Sequence, residues 1–395
     1  MRFAQSCVHP DMAKGKKIII INQAVNYLTI GMANAFKEHY EEVLLMTGSV
    51  HTQGELLRDD VKVVNLNLWH DAPAWRKYSS FLEAMLRMWF LLFFRFRSYE
   101  VLFVSVPPMA YLLNLLLPNK FSMVIWDVYP DLLKITGMKE SHPLYKFWST
   151  LNKKSFRKAF TLITISEVMS KTIAKYIDID KVVVQPIWSI FSIDDKVEAA
   201  TNPFILEHGL SEKMVIQYSG NIGLSHKVEL LIDMAEILQE EKSIHFQIIG
   251  RGPKKKTIES LVHSQKLKNC QFLPFQRDDN FASSLSAANL GVVILDERVG
   301  LGSVPSKSYN LMALGIPSLY IAPKESQLYK YALEFGHAKC FSEEELSEAS
   351  SWVLEFSQNP ELQEYMSLAA LKASKNFQRS NADKMVNKYI NVAPK

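Results

Sequence analysis

Short apolar runs and helix-patterned stretches alternate along this chain, and that alternation restricts it to one kind of architecture. In the first half, residues 18–21, 43–47, 61–66, 101–105, 123–126, 162–165 and 182–185 read as strands. In the second half, residues 215–218, 245–249, 271–273, 292–295 and 319–321 do so. Apolar strands separated by helices build parallel sheets covered on both faces. Two such series predict an α/β protein with two doubly wound domains. At 395 residues, with 48% apolar and 22% charged residues, the chain is long enough for two full cores. The regular pattern lapses over residues 187–202, so the expected division is a first domain over 1–190 and a second over 191–365. The tail over 360–390 has helical composition.

Two segments of the second half repeat one device. Residues 214–219 form an apolar run, Gly220, Asn221, Ile222 and Gly223 make a tight turn, and a helix is expected from His226 to Leu238. Its apolar stripe is Val228, Leu231, Met234, Ala235 and Leu238, and Lys227 stands at its opening. Downstream, residues 300–317 follow the run 291–295 and lead into 318–322. Pro305 suits a first helical turn, and Gly315 with Pro317 ends the helix. The N–H groups of Ser306, Lys307 and Ser308 then face the preceding loop, and a helix start with a lysine attracts anions. Either lysine alone reads most simply as a solvated charge. Two in equivalent strand–turn–helix settings match the two phosphates of a nucleoside diphosphate.

These residues carry a family resemblance. The ordered series is Ser219 to Gly223 with Lys227, then Gly250-Arg251-Gly252-Pro253, then Leu273-Pro274-Phe275, then Ser303-Val304-Pro305-Ser306-Lys307 through Ala313, Gly315 and Pro317. It resembles the donor half of the GT-B glycosyltransferases of family 4. The Val-Pro-Ser-Lys segment is similar to the bacterial fucosaminyltransferase-like branch of surface polysaccharide synthesis. The resemblance implies two Rossmann-like domains facing a cleft, with a final helix within 366–395 crossing back to the first. It implies a retaining transferase that moves a sugar from a nucleoside-diphosphate donor, UDP-linked, to a glycan or polyprenyl-diphosphate-linked acceptor. Front-face attack, as the resemblance implies, lets the leaving phosphate oxygen take the acceptor proton.

Lys227 and Lys307 are the expected charge stabilisers of the leaving diphosphate. Gly220, Asn221, Gly223, Gly250, Arg251, Leu273, Pro274, Ser303, Val304, Pro305, Ser306, Ser308 and Asn310 are the expected donor contacts. Asp127 follows the run 123–126, where open α/β sheets place ligands, and is the first-domain candidate for touching sugar or acceptor; a cap for the turn through Pro130 is its alternative. Asp131 reads as a cap or surface group. The family's Glu-x7-Glu pair is replaced by Gly302 and Asn310, and Asn221 stands in place of an arginine. Asn310 retains an amide for a ribose hydroxyl, and Asp296 or Glu297 is the candidate to take over the sugar contact. These departures leave the sugar open and admit an inactive homologue. A nucleotide-sugar 2-epimerase shares the architecture, although it needs carboxylates and a histidine around the sugar.

No cofactor and no metal site is expected. Asp178 and Asp180 have the Asp-x-Asp pattern but read as a solvated turn, and the histidines show no ligand pairing. The net charge of +4 suits anionic partners without calling for nucleic acid. Cys7, Cys270 and Cys340 are odd in number and widely spaced, which favours a reducing compartment. The opening residues to Lys17 lack a long apolar core, so no secretory signal is read there, and the stretch before Lys16 reads as an extension. Residues 81–97 are apolar and aromatic but interrupted by Glu83, Arg87, Arg95 and Arg97, so they are too short to span a bilayer. They read either as a buried helix or as a helix lying on a membrane with Trp89, Phe90, Phe93 and Phe94 inserted, Leu112, Leu113 and Leu115 to Leu117 extending the surface. The second reading places the protein in the cytoplasm, peripheral at the inner face of the cell membrane.

Overall fold

A computed structural model describes residues 15–67, 74–223 and 226–392. The expected extension before Lys16, together with Cys7, falls almost wholly outside them. The first sheet contains β1 (Lys17–Ile21), β2 (Glu42–Thr47), β3 (Lys62–Asn65), β4 (Glu100–Val104), β5 (Phe121–Ile125), β6 (Leu162–Thr164) and β7 (Val182–Val184). The second contains β8 (Met214–Asn221), β9 (Ile244–Arg251), β10 (Cys270–Pro274), β11 (Leu290–Ile294), β12 (Ser318–Ile321) and β13 (Ala338–Phe341). All pairings within both are parallel, in the orders β3-β2-β1-β4-β5-β6-β7 and β10-β9-β8-β11-β12-β13. Each order reverses once, beside β1 and beside β8, and that reversal opens a crevice at the carboxyl ends of the strands. The strand β13 was not among the expected runs, because Lys339 interrupts it.

The helices that matter for the site are α1 (Tyr27–Lys37), α2 (Ala74–Phe90), α3 (Pro143–Lys158), α4 (Glu229–Ile237), α5 (Lys307–Ala313), α6 (Pro360–Ser374) and α7 (Asn381–Ile390). Buried strands read as unbroken apolar runs: Ile18, Ile19, Ile20 and Ile21 are essentially inaccessible. The helix α6 stays with the second domain. Its Ser367 hydroxyl donates to the Gly315 carbonyl at 2.6 Å, and Leu371 packs where a Cβ on Gly315 would sit. Beyond α6, α7 lies on α1, with the Phe36 and Tyr389 rings 5.1 Å apart edge to face and the Tyr389 hydroxyl on Glu100 at 2.8 Å.

Residues 81–97 continue α2 into one π-helical turn, Leu91–Arg95, and are two-faced. Ala84, Met88, Leu92 and Phe96 are in the core. Trp89 and Phe93 stack at 5.5 Å and pack partly against that core, so the expectation that they stand free on a surface is corrected. The freely exposed ridge is Leu82, Leu86, Phe90 and Phe94, each between 57% and 62% accessible and four residues apart. Leu116 is exposed as well, whereas Leu113 and Leu117 are buried. No helix among the described residues is long and apolar enough to cross a membrane.

Candidate active site

The two carboxyl edges face each other across a cavity of about 360 Å³ lined by Trp126, Asp127, His226, Val304 and Ser306, among others. Hydrogen bonds join its two sides: the Val128 N–H donates to the Gly302 carbonyl at 3.2 Å, and the Thr172 hydroxyl donates to the Leu301 carbonyl at 2.9 Å. The loop carrying Gly302 is thus strapped to the first domain where the family pattern has a carboxylate.

Lys307 opens α5, with Pro305 and Ser306 just before it. Its Nζ is buried, has no hydrogen-bond partner among the described residues, and lies 3.7 Å from the centroid of the Tyr218 ring. The Tyr218 hydroxyl is occupied as donor to the Asn221 carbonyl at 2.6 Å, leaving only the ring face for the ammonium. Gly220 makes the approach possible: a Cβ there would stand 3.0 Å from Lys307 Nζ, and its φ of +148° suits glycine. Burial without a counter-ion pulls the Lys307 pKa down to about 7. His226, beside it, is driven down to about 3 by burial and then by the charges of Lys307 and Lys254, so its imidazole is neutral. Neither the Tyr218 platform nor the place of His226 in the cavity was read from the sequence, since both depend on which strand ends meet.

Lys227 is placed differently. The helix α4 begins at Glu229, two residues beyond it, so Lys227 sits in the approach to the helix. The expected stripe Val228, Leu231, Met234, Ala235 and Leu238 is buried. The Lys227 ammonium contacts Glu343 directly and stands 3.7 Å from Asp296. Burial alone would lower its pKa, but these two carboxylates outweigh that and raise it. Asp296 is fully buried and held by Arg298 at 2.8 and 2.6 Å, so it is not open to a sugar as expected. Burial favours its neutral form, yet Arg298 first and then Lys227 bring its pKa below the ordinary value. Arg298 also reaches the Ile135 carbonyl of the first domain at 3.2 Å. Glu343 follows β13, and because Lys339 breaks that strand's apolar run its place at a carboxyl end is not legible in the sequence.

The remaining expected residues separate into groups. Ser303, Val304, Pro305 and Ser306 line the cavity. Ser308 is buried, its hydroxyl donating to the Pro305 carbonyl at 2.8 Å. Asn310 does not offer its carbonyl oxygen to a ribose: that oxygen accepts from the Ser189 hydroxyl at 2.9 Å and ties α5 to the interdomain linker. Leu273 turns its side chain into a core cluster with Val215 and Ile249, which leaves only its backbone for a ligand. Pro274 is exposed, and Arg251 stacks over Phe275 at 4.3 Å. Gly250 pairs with Gly220 across β8 and β9, where a Cβ would meet the Gly220 carbonyl at 2.3 Å. It is there for strand packing. Asn221 is exposed at the end of β8, its amide beside Gly223.

In the first domain Asp127 follows β5 and reaches Ser303 across the cavity; burial raises its pKa, partly offset by the Ser303 hydrogen bond. Asp131, expected as a cap or a surface group, is buried and so is not the latter. It accepts from Tyr145 at 2.9 Å, from Tyr176 at 2.5 Å and from Lys175 at 3.0 Å, fixing the turn that presents Asp127. Asp178 and Asp180 are exposed in a turn before β7, at the opposite edge of that sheet from the cleft. No grouping of three or more histidine, cysteine, aspartate or glutamate side chains suited to a metal is found among the described residues.

Comparisons with known proteins agree with this layout. Residues 204–372 match the family described as Glycosyl transferases group 1. The putative colanic acid biosynthesis glycosyl transferase WcaI of Escherichia coli K12 is 27% identical over 219 residues, 54% of this chain and 53% of that protein. The probable glycosyltransferase WbjE of Pseudomonas aeruginosa is 27% identical over 244 residues, 60% of this chain and 58% of that protein. The chain thus spans only about half the length of the curated relatives it matches. Among solved structures, sucrose-phosphate synthase of Thermosynechococcus elongatus superposes with a TM-score of 0.75 at 12% identity, covering 95% of this chain and 99% of the other. Anabaena Alr3699/HepE in complex with UDP does so with a TM-score of 0.68 at 12% identity, covering 95% and 100%. The fold is that of the GT-B glycosyltransferases, and within it residues 204–372 are similar to the glycosyl transferases group 1.

Proposed function

We propose that the protein is a glycosyltransferase that moves a sugar from a nucleoside-diphosphate donor, UDP-linked, to a glycan or polyprenyl-diphosphate-linked acceptor in surface polysaccharide synthesis. The observation that carries this reading is the buried Lys307 ammonium, without a partner among the described residues and lying against Gly220 of the glycine turn. A buried cation left unpaired is costly, and an anionic ligand removes that cost. The UDP named in the Anabaena complex supports the donor, the glycosyltransferase names of both relatives support the activity, and the colanic acid biosynthesis named for the Escherichia coli relative supports the pathway class. The Val-Pro-Ser-Lys segment favours the fucosaminyltransferase-like branch.

In this reading the diphosphate lies along the turn 220–223 and the approach to α5, within reach of Lys307 and Lys227. As the anomeric bond breaks, charge gathers on the leaving phosphate, and fixed cations in a closed cleft stabilise it. Asp127 stands on the opposite wall, where its carboxyl contacts the sugar or the acceptor hydroxyl. Transfer proceeds with retention, the leaving phosphate oxygen receiving the acceptor proton. The lysines supply the charge that a divalent cation would otherwise supply, so no metal is needed. The ridge of Leu82, Leu86, Phe90 and Phe94, flanked by Arg87, Arg95 and Arg97, rests on the inner face of the cell membrane and brings the cleft to a lipid-linked acceptor.

A second reading has its own support. Gly302 brings no side chain to the sugar, and the Asn310 carbonyl oxygen is taken by Ser189, which suits a partner subunit that binds nucleotide without turnover. Calorimetry with UDP tests the shared premise. Wild-type protein is expected to bind, and Lys307→Ala to weaken binding by about tenfold to a hundredfold, the value of one charge-assisted contact. A wild-type protein indifferent to UDP refutes both readings. Binding without diphosphate release in the presence of lipid-linked acceptors favours the second.

A further inference from the structure

The two lysines of the cleft are in opposite electrostatic states, and the difference points to a residue that the donor-binding reading did not include. Lys307 has no counter-ion among the described residues. Lys227 has one, Glu343, from the turn after β13. Asp296 is a lesser partner, because its oxygens are already bound by the Arg298 guanidinium and backbone N–H. Glu343 in turn is incompletely satisfied: one carboxylate oxygen contacts Lys227, while the other is buried and has no partner among the described residues. The Glu343 carboxylate is therefore anchored through its contact with Lys227. The next turn residue, Glu345, shows the contrast. It accepts from the Ser342 N–H at 2.8 Å and Ser342 hydroxyl at 3.1 Å and pairs with Lys324, closing a capping box that fixes the turn without help from Glu343.

The geometry points to Glu343 as an internal counter-ion that occupies Lys227 until the donor's diphosphate displaces it. This rests on the nucleoside-diphosphate reading above and deepens it. Asp296 follows β11, Gly220 and Asn221 end β8, and Glu343 follows β13, so all lie on one carboxyl edge, where the diphosphate must approach. Two anionic groups compete there for one ammonium. With Glu343 in place, Lys227 carries no net attraction for phosphate. Once the carboxylate swings away, Lys227 joins Lys307 on the diphosphate. The closed pair keeps the empty cleft from holding stray anions and makes a diphosphate, which can reach both lysines together, the group able to open it.

Calorimetric titration of the full chain with UDP and with uridine tests this. Glu343→Gln is expected to bind UDP on the order of tenfold more tightly than wild type, because a competing charge a few ångströms from phosphate is removed. Uridine, which has no phosphate, should bind both proteins alike. Glu345→Gln removes the same charge from the same turn without touching Lys227 and should leave UDP affinity unchanged. Glu343→Ala gives a second variant, and thermal melting verifies that each is folded. Unchanged or weaker UDP binding by both Glu343 variants overturns the proposal, as does equal tightening by Glu345→Gln, which would trace the effect to a loosened turn. A wild-type protein that does not bind UDP, or binds it regardless of Lys307→Ala, overturns the parent reading and this proposal with it. Binding that is lost in Lys307→Ala but indifferent to Glu343 sinks the counter-ion role alone.

Discussion

Raising pH should weaken nucleotide binding through Lys307, and the size of the effect follows from its surroundings. Its ammonium is enclosed beside the Tyr218 ring with no counter-ion, which brings its pKa to about 7 in the free protein. Beside a diphosphate the charged form is favoured, so binding selects the protonated lysine. The protonated fraction is about one half at pH 7 and about one hundredth at pH 9, so UDP affinity should fall by about fiftyfold, or ~2.3 kcal/mol. For the free protein the sign is opposite. The folded-state pKa lies below the ordinary lysine value of 10.5, so the unfolded chain binds more protons between about pH 7 and pH 10.5. The Lys307 contribution to stability therefore rises with pH across that window and is lost as pH falls toward 7. Calorimetry in buffers of different ionisation enthalpy should detect proton uptake on UDP binding at pH 8, and none from this site in Lys307→Arg, where the charge is permanent. A wild-type affinity that is flat from pH 7 to 9, or a slope matched by Lys307→Arg, would refute the assignment.

Three further outcomes are expected. Gly250→Ala would push a methyl group to 2.3 Å from the Gly220 carbonyl, costing roughly 1–3 kcal/mol or more in urea denaturation and weakening UDP binding as the turn shifts; wild-type stability in this variant would contradict the close strand contact. Replacing Leu82, Leu86, Phe90 and Phe94 together with serine should abolish binding to vesicles containing anionic lipid while leaving the thermal midpoint and UDP affinity near wild type, because these side chains are exposed. Retained vesicle binding would remove the ridge from membrane contact. UDP affinity and sugar transfer should survive chelation, and loss restored by magnesium would show that the lysines do not suffice.

The alternation of apolar runs made both sheets legible, because buried parallel strands need unbroken apolar sequence and their connections need helices. Helix starts were less legible. Lys227 and Lys307 looked equivalent by local pattern, yet one pairs with a residue 116 positions away and the other with none. No local signal distinguishes them, since the difference lies in which strand ends are neighbours. Residues 81–97 failed for another reason: apolar side chains cover two faces, so periodicity gives a helix without telling which stripe meets the core. Trp89 and Phe90 are adjacent in sequence, and only packing decides that the second is the exposed one. Asn310 and Asp296 were read as free polar groups, but Ser189 and Arg298 occupy them, and a buried polar group must find such a partner somewhere.

The placement of α7 on α1 bears on how the protein is made. Phe377, Ala382, Met385, Val386 and Tyr389 belong to the same buried cluster as Phe36 and the strands β1 and β4. A ribosome delivers β1 to β7 first, yet α1 beside them lacks the packing of α7 until residues 381–390 emerge. The second sheet, synthesised later, has its covering helices in hand sooner. The later-made half should therefore become protease-resistant on the nascent chain before the earlier-made half does, and the early strands must wait with apolar surface showing, as clients for a chaperone, until the last helix arrives.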